Sequence, residues 1–421
     1  MTSFVPVGIQ MTQAYSLPST ILVNMCFMVF ALLSPPSDFL AVYLFNKYRT
    51  GVVLRVASII SFLGCMLRFC TFINDSFWPI LLGTIIMASV ASIFLNSQII
   101  ICNKWFSDKE RAIAMAVLNV FPSIGALMSF ILSGIVYKSS DDTTLSSDEL
   151  NASIVSDTRN LIYLQNLAYF VLFVVFQIVI RDKPETPPSA VAEAPQTHES
   201  FCESFKVMWA NKNFMLLAVA YALCYGVFCI VGSAMSNVLS PFGFTPTDIA
   251  VLGGAGLCSG VVGALLMGWW LDYSGRYRMT HLTISTICVF AIIAFTTVLK
   301  ISEDGPNMSL MLTVIIVVSI ACVSCFPTCL SYGAELTFPH SPVLINACMN
   351  FLGQIYGFIL MGASVLITDV NVEDDILSPE AIVERQHQSY IVVGIIGLNG
   401  IIILVLACFV KEDLRRLNYK K

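Results

Sequence analysis

A chain of 421 residues with 57% hydrophobic and 12% charged residues carries far less charge than the roughly 25% of a soluble domain, so most of it cannot face water. Its net charge of -5, with no dense basic face, excludes nucleic acid as a partner. The 14 Cys residues lie mostly inside apolar runs (Cys26, Cys65, Cys102, Cys229, Cys322, Cys408), where a thiol behaves as a small hydrophobe, and the CxxC at Cys322 and Cys325 has no second CxxC or nearby His pair, so no metal, cofactor or disulfide framework is expected.

No basic segment, apolar run and cleavage site opens the chain, so no signal peptide is expected and insertion relies on the spans themselves. The run from Phe4 to Leu17 is apolar but short, and it holds Pro6, Gly8, Gln10 and Gln13. It reads as the outer end of a first, partial helix, and a second reading places the true start upstream of Met1. Eleven stretches then reach the roughly 20 apolar residues that a helix needs to cross hydrocarbon. They lie near 20–45, 52–73, 78–102, 111–137, 160–180, 214–239, 248–271, 280–299, 308–331, 343–367 and 390–410. The fold class expected is an all-α polytopic membrane protein whose main partner is the lipid bilayer.

One alternating set of loops, with the C-terminal tail, holds 17 of the 22 Lys and Arg residues, whereas the opposite set holds only Lys138, Arg159, Lys300 and Arg385. Because basic residues are retained on the cytoplasmic side, the C-terminus is expected there. The three N-x-S/T sequons, at Asn74, Asn151 and Asn307, all fall in loops assigned to the exterior, where glycosylation is feasible. The segment 181–213 carries Pro184, Pro187, Pro188 and Pro195 and has linker composition. It divides the chain into an N-terminal helical bundle (1–180), a cytoplasmic linker (181–213), a C-terminal bundle (214–410) and a cytoplasmic tail (411–421).

Within the spans, isolated ionisable groups cost about 2.5 to 3.5 kcal/mol on insertion scales and so mark functional paths. Asp38 follows the Pro35-Pro36 break in the second span. Arg68 near the outer end of the third is expected to snorkel to water, and Asn96, Ser97 and Gln98 make a polar patch in the fourth, either interhelical glue or cavity lining. Glu335, at the cytoplasmic end of the tenth span, reads as a gating or structural acid. The four His residues (His198, His281, His340, His387) fall in loops or at span ends, which leaves no buried array to ligate a haem iron. With no P-loop, nucleophile elbow, HExxH or kinase pattern present, an enzyme is not expected.

The run from Gly268 through Asp272 to Gly275-Arg276 fits GxxxDxxGR in the turn between the eighth and ninth spans. Small glycines allow close helix crossing, and the Asp beside the Arg can form a charge-assisted latch. This motif resembles that of the major facilitator superfamily, whose plan of two six-helix bundles matches the span count, with the first helix truncated and 11 complete spans. In the first half Asn46 stands where the acid of the motif belongs. Trp105-Phe106-Ser107-Asp108-Lys109-Glu110-Arg111, Asp182-Lys183-Pro184-Glu185-Thr186-Pro187-Pro188-Ser189, Gly333-Ala334-Glu335-Leu336-Thr337-Phe338-Pro339 with Asn346 and Ala347, and the closing Lys411-Glu412-Asp413-Leu414-Arg415-Arg416 together resemble the feline leukaemia virus subgroup C receptor-related family of haem and choline transporters.

That resemblance implies alternating access of a small-molecule substrate, haem or choline and ethanolamine, in the plasma membrane, with an endosomal or lysosomal membrane and a pyridoxine-like vitamin as alternatives. A non-transporting surface receptor is the competing class. The resemblance also implies an aromatic cage, which suits a quaternary ammonium because each π face contributes about 0.5 to 2 kcal/mol. Here the cage departs from the family: its Trp would fall at or before Met1, its Tyr is Cys229 and one Gln is Ser123. Its second Gln corresponds to Asn350, or to Gln354 one turn on. Tyr221, Tyr225 and Phe228 recur at helical spacing in the seventh span, with Tyr332 and Tyr356 on neighbouring helices. The pocket is therefore expected to use Tyr225, Phe228, Ser123, Asn350 and Gln354, and the gate Gly268, Asp272, Gly275, Arg276 and Glu335.

Overall fold

A computed structural model describes residues 2–74, 76–106, 111–137, 147–182, 206, 209–337, 342–368 and 379–410. A 3-10 turn (Thr2–Val7) and a short helix α1 (Gly8–Ala14) precede eleven long helices that fall on the eleven apolar stretches. These are α2 (Ile21–Lys47), α3 (Thr50–Leu67), α4 (Trp78–Trp105), α5 (Arg111–Val136), α6 (Ser147–Val179), α7 (Lys212–Leu239), α8 (Pro246–Ser274), α9 (Tyr277–Ile301), α10 (Met308–Leu336), α11 (Pro342–Ile367) and α12 (Pro379–Phe409). Ten of them hold a stretch long and apolar enough to cross a membrane, and α5 adds the shorter apolar run Phe121–Val136. The linker and tail lie almost wholly outside the described residues.

Local signals explain where the helices begin and end. Asn211 caps α7 by accepting from the backbone of Asn213 and Phe214, and Asn307 caps α10 by accepting from Leu310. Thr245 and Asp248 form a reciprocal capping box at the start of α8, with Pro246 at the first helical position. The same helix stops at Gly275, whose φ of 61° a side chain would resist. Apolar side chains surround the helices on all sides, and those turned outward are exposed, as at Leu172, Ile178 and Phe409. Such helices face lipid rather than water.

Helices α2 to α6 pack on one another in one half and α7 to α12 in the other, and the halves meet along α2 with α11 and α5 with α8. Within the second half α8 crosses α10 closely because Gly256, Gly260 and Gly263 admit Ile315, Ser319, Ile320 and Val323. One end of the molecule, the basic end, gathers the turn between α2 and α3 with the ends of α4 and α6. There Gly51 N–H donates to Asp182 Oδ1 at 2.6 Å, Lys104 Nζ donates to Thr50 Oγ1 at 2.7 Å, and Arg55 donates to the Ile180 carbonyl at 2.9 Å. Arg49, the N-cap of α3, supplies no side-chain cap, so Asp182 caps that helix from across the bundle. Desolvation pushes the Lys104 ammonium below its ordinary value, and the charge of Asp182 partly restores it.

Three expectations are corrected. Helix α2 runs unbroken through Pro35 and Pro36, with hydrogen bonds to α4 beside both prolines: Ser92 Oγ donates to the Ser34 carbonyl of α2, and Ser37 Oγ donates to the Ser89 carbonyl of α4. Arg68 does not snorkel. It is 4% exposed, its guanidinium lies 5.4 Å from the Phe4 ring centroid, and its Nε and one terminal nitrogen have no hydrogen-bond partner among the described residues; Phe4 of the opening segment packs over it. Gly268 is not a close crossing, since a methyl there would meet nothing within 4 Å. It sits beside the exposed Trp269, Trp270 and Tyr273, on the outward surface of α8.

Candidate functional site

The spacing of Tyr221, Tyr225 and Phe228 turns three rings to one side of α7. Gly353 and Gly357 of α11 let the rings lie against its backbone: a Cβ on Gly357 would sit 2.9 Å from Tyr225 Cδ1 and 3.0 Å from Cys229 Sγ. Phe326 of α10 packs among them, 6.0 Å from Tyr225 and 5.7 Å from Phe228, the latter edge-to-face at 89°. Against this cluster a cavity of about 200 Å³ opens between the two halves. Phe27 and Phe30 of α2, Phe130 of α5, and Tyr225 and Phe228 of α7 bring five aromatic rings to it, with Cys229 beside them and α8 and α10 completing the wall.

A carboxylate outside the cavity wall lies within electrostatic reach of Tyr225. Asp38, half-buried on α2, accepts from Asn96 Nδ2 at 2.8 Å, and Asn96 also donates to the Ser92 carbonyl. Gln354 of α11 hydrogen-bonds the same carboxylate, and Tyr225 is near enough to feel its charge. Gln354 is 5% exposed and its Oε1 has no partner, so its amide is committed to Asp38 on one side only. Asn350, one turn away, accepts from Tyr221 Oη at 2.5 Å.

Of the expected pocket residues, Tyr225 and Phe228 line the cavity, Gln354 stands at the acid, and Asn350 is engaged with Tyr221. Ser123 is half-buried one turn from Ala126, which does line the cavity, but Ser123 itself does not. Tyr332 stacks on Tyr277 and Tyr356 donates to Asn399 at 2.5 Å, so neither joins the cavity wall. Phe27, Phe30 and Phe130 are lining residues that sequence reasoning missed; the only signal was the i, i+3 spacing of the first two. No His pair was expected near Cys322 and Cys325, but a single histidine from a span end does approach Cys325. His281, four residues into α9, is 1% exposed and lies in one cluster with Cys325 and Cys329.

At the end opposite the basic one, the halves are tied together. The 3-10 turn Thr2–Val7 packs against α2, α5, α7 and α8, with Phe4 and Val7 buried and Ser236 Oγ donating to the Pro6 carbonyl at 3.3 Å. Asn237 Nδ2 donates to Thr20 of one half and to Thr368 of the other. Among the gate residues, Gly275 ends α8, Arg276 is exposed at the start of α9 and Glu335 is 5% exposed at the end of α10. The side chains of Asp272, Asn46, Asn74 and Asn346 lie outside the described residues, and Asn151 falls within α6.

Residues 1–361 match the family model described as Major Facilitator Superfamily. The choline/ethanolamine transporter FLVCR1 of Felis catus is 26% identical over 93% of this chain and 66% of that protein; flvcr2a of Danio rerio, also a choline/ethanolamine transporter, is 22% identical over 80% and 71%. The chain thus spans about two thirds of the length of these relatives. Among solved structures, a bacterial homologue of the human lysosomal transporter Spinster, inward-facing and occupied, superposes with a TM-score of 0.65 at 15% identity, covering 97% of this chain and 92% of that one. The nucleoside transporter NupG gives 0.62 at 14% identity, covering 96% and 95%. At such identities these two speak for the fold.

Proposed function

Because this chain belongs to the major facilitator superfamily, we propose that it carries a small organic cation of the choline or ethanolamine type across a membrane by alternating access of two six-helix bundles. The observation that carries this reading is the convergence of Phe27, Phe30, Phe130, Tyr225 and Phe228 on one cavity, with the charge of Asp38 within reach of Tyr225. A quaternary ammonium offers no strong hydrogen-bond donor. It is held by π faces, at about 0.5 to 2 kcal/mol each, and by a nearby anion. A cavity of about 200 Å³ accommodates a molecule of choline's size and is too small for a porphyrin, which favours choline over haem.

The cage predicted from Tyr225 and Phe228 is completed in this reading by Phe27 and Phe30, which take the part of the family's first-span Trp. Asp38 supplies the counter-charge, and Gln354 orients it. Asp272, Gly275, Arg276 and Glu335 form the gate at the basic end, which faces the cytoplasm with the tail at 411–421. Asn74, Asn151 and Asn307 face the exterior. Uptake of radiolabelled choline, ethanolamine and haem in cells expressing the chain tests the proposal. Saturable choline uptake that falls with Asp38→Asn is expected; haem flux without choline flux would overturn the cation assignment.

A further inference from the structure

Helix α10 places Cys325 and Cys329 one turn apart on the same face, and α9 brings His281 against them. Their ligand atoms all lie within 4.8 Å of one another. The two sulfurs are 3.6 Å apart and His281 Nδ1 is 3.7 Å from Cys329 Sγ. In a tetrahedral zinc site, with Zn–S near 2.3 Å and Zn–N near 2.05 Å, the S···S and S···N edges come to about 3.8 and 3.6 Å. The two observed separations lie close to those edges, and the third, from Cys325 to His281, is within 4.8 Å. We propose that Cys325, Cys329 and His281 bind a divalent ion of the zinc type.

Two independent features favour an ion over a chance meeting of small apolar side chains. The first is His281: the imidazole is 1% exposed in the interior of the second bundle, and its Nε2 has no hydrogen-bond partner among the described residues. A buried ring that makes no hydrogen bond beyond thiols is unusual, because buried polar groups are nearly always satisfied. The second is charge. Binding removes the protons of two thiols to solvent and leaves two thiolates, a neutral imidazole and a dication, a centre with no net charge. A neutral centre is what a low-dielectric interior tolerates.

More thiols adjoin the site. Cys224 Sγ donates to the Cys322 carbonyl at 3.3 Å and approaches Cys325, and Cys322 meets Cys288 at 3.7 Å. Cys322 also lines the aromatic cavity. The ion would therefore join α9 to α10. Its role is to hold these two helices of the second half as one rigid unit.

The test uses the purified full-length protein in detergent, with metal content, cobalt absorption and thermal unfolding as readouts. About one equivalent of zinc per chain is expected, and cobalt exchanged for zinc should give a near-ultraviolet thiolate-to-metal band. Cys329→Ser and His281→Gln should lose most of the bound metal and weaken that band, while Cys70→Ser and Cys258→Ser, at exposed positions, keep both. Chelation should lower the unfolding temperature of the wild type and leave that of Cys329→Ser unchanged. A monodisperse wild-type protein with no metal and no cobalt band would overturn the proposal. So would undiminished metal in Cys329→Ser and His281→Gln. Because the readout on wild-type protein needs no variant, misfolding of a mutant does not protect the idea.

Discussion

Phe228→Leu separates a π contribution from mere apolar lining. Phe228 faces the cavity with Phe326 packed against it at 5.7 Å and 89°, so leucine keeps apolar bulk at the wall and removes one π face. The loss for a quaternary ammonium is that face, about 0.5 to 2 kcal/mol, or about 2- to 30-fold in affinity. A neutral isostere of choline, with carbon in place of the charged nitrogen, makes the same apolar contacts without the charge. The assay is competition of each compound against radiolabelled choline uptake in wild type and variant. Choline should weaken by that factor, while the isostere shifts by less than about 2-fold. Equal weakening of both compounds would refute the cation–π argument and leave Phe228 as packing alone.

Asp38→Asn keeps the hydrogen bonds to Asn96 in part but removes the charge, so choline transport should fall by about 10-fold or more while protein level in the membrane, read by blotting, holds. Gly357→Val pushes a side chain into Tyr225 and Cys229, where even a Cβ would lie 2.9 and 3.0 Å away, and should cost about 1 to 3 kcal/mol of stability. Gly268→Ala, with open space around it, should stay within about 0.5 kcal/mol; thermal unfolding of both in detergent checks the pair, and a larger loss at Gly268 would reverse the argument. Asp182→Ala removes the bond to Gly51 and should cost about 0.5 to 2 kcal/mol, less at high salt, measured as unfolding temperature against ionic strength.

The helix count was legible because lipid leaves the backbone no other solution, and stretches of about 20 apolar residues declare it. Tyr225 and Phe228 were legible for a related reason, since i, i+3 and i, i+4 spacing places side chains on one face before any tertiary contact is known. Phe27, Phe30 and Phe130 were not. In a chain with 29 Phe residues, an aromatic that faces a cavity and one that faces lipid look alike until the helices are rotated. His281 was hidden differently: its meeting with Cys325 and Cys329 depends on how α9 crosses α10, which no local pattern encodes. Pro35 and Pro36 misled because the sequence shows the lost donors, whereas the neighbouring Ser92 and Ser37 contacts that steady the backbone are tertiary.

The position of Asp38 links recognition to movement. Its partners come from both halves: Asn96 from α4 on its own side, Gln354 from α11 on the other. A carboxylate inside a span costs about 2.5 to 3.5 kcal/mol if left charged and unpaired, and the amides around it offset only part of that cost. In the proposed cycle a cation held by the five rings would bring positive charge within reach of the acid, so the occupied carrier would close at lower cost than the empty one. The tie at the opposite end, where Asn237 holds Thr20 and Thr368, must break for that end to open, and Gln354 must follow α11 away from α2. In that proposed cycle, substrate binding and the parting of the halves act on the same short set of contacts, and Asp38→Asn should slow choline movement even where the protein folds and reaches the membrane.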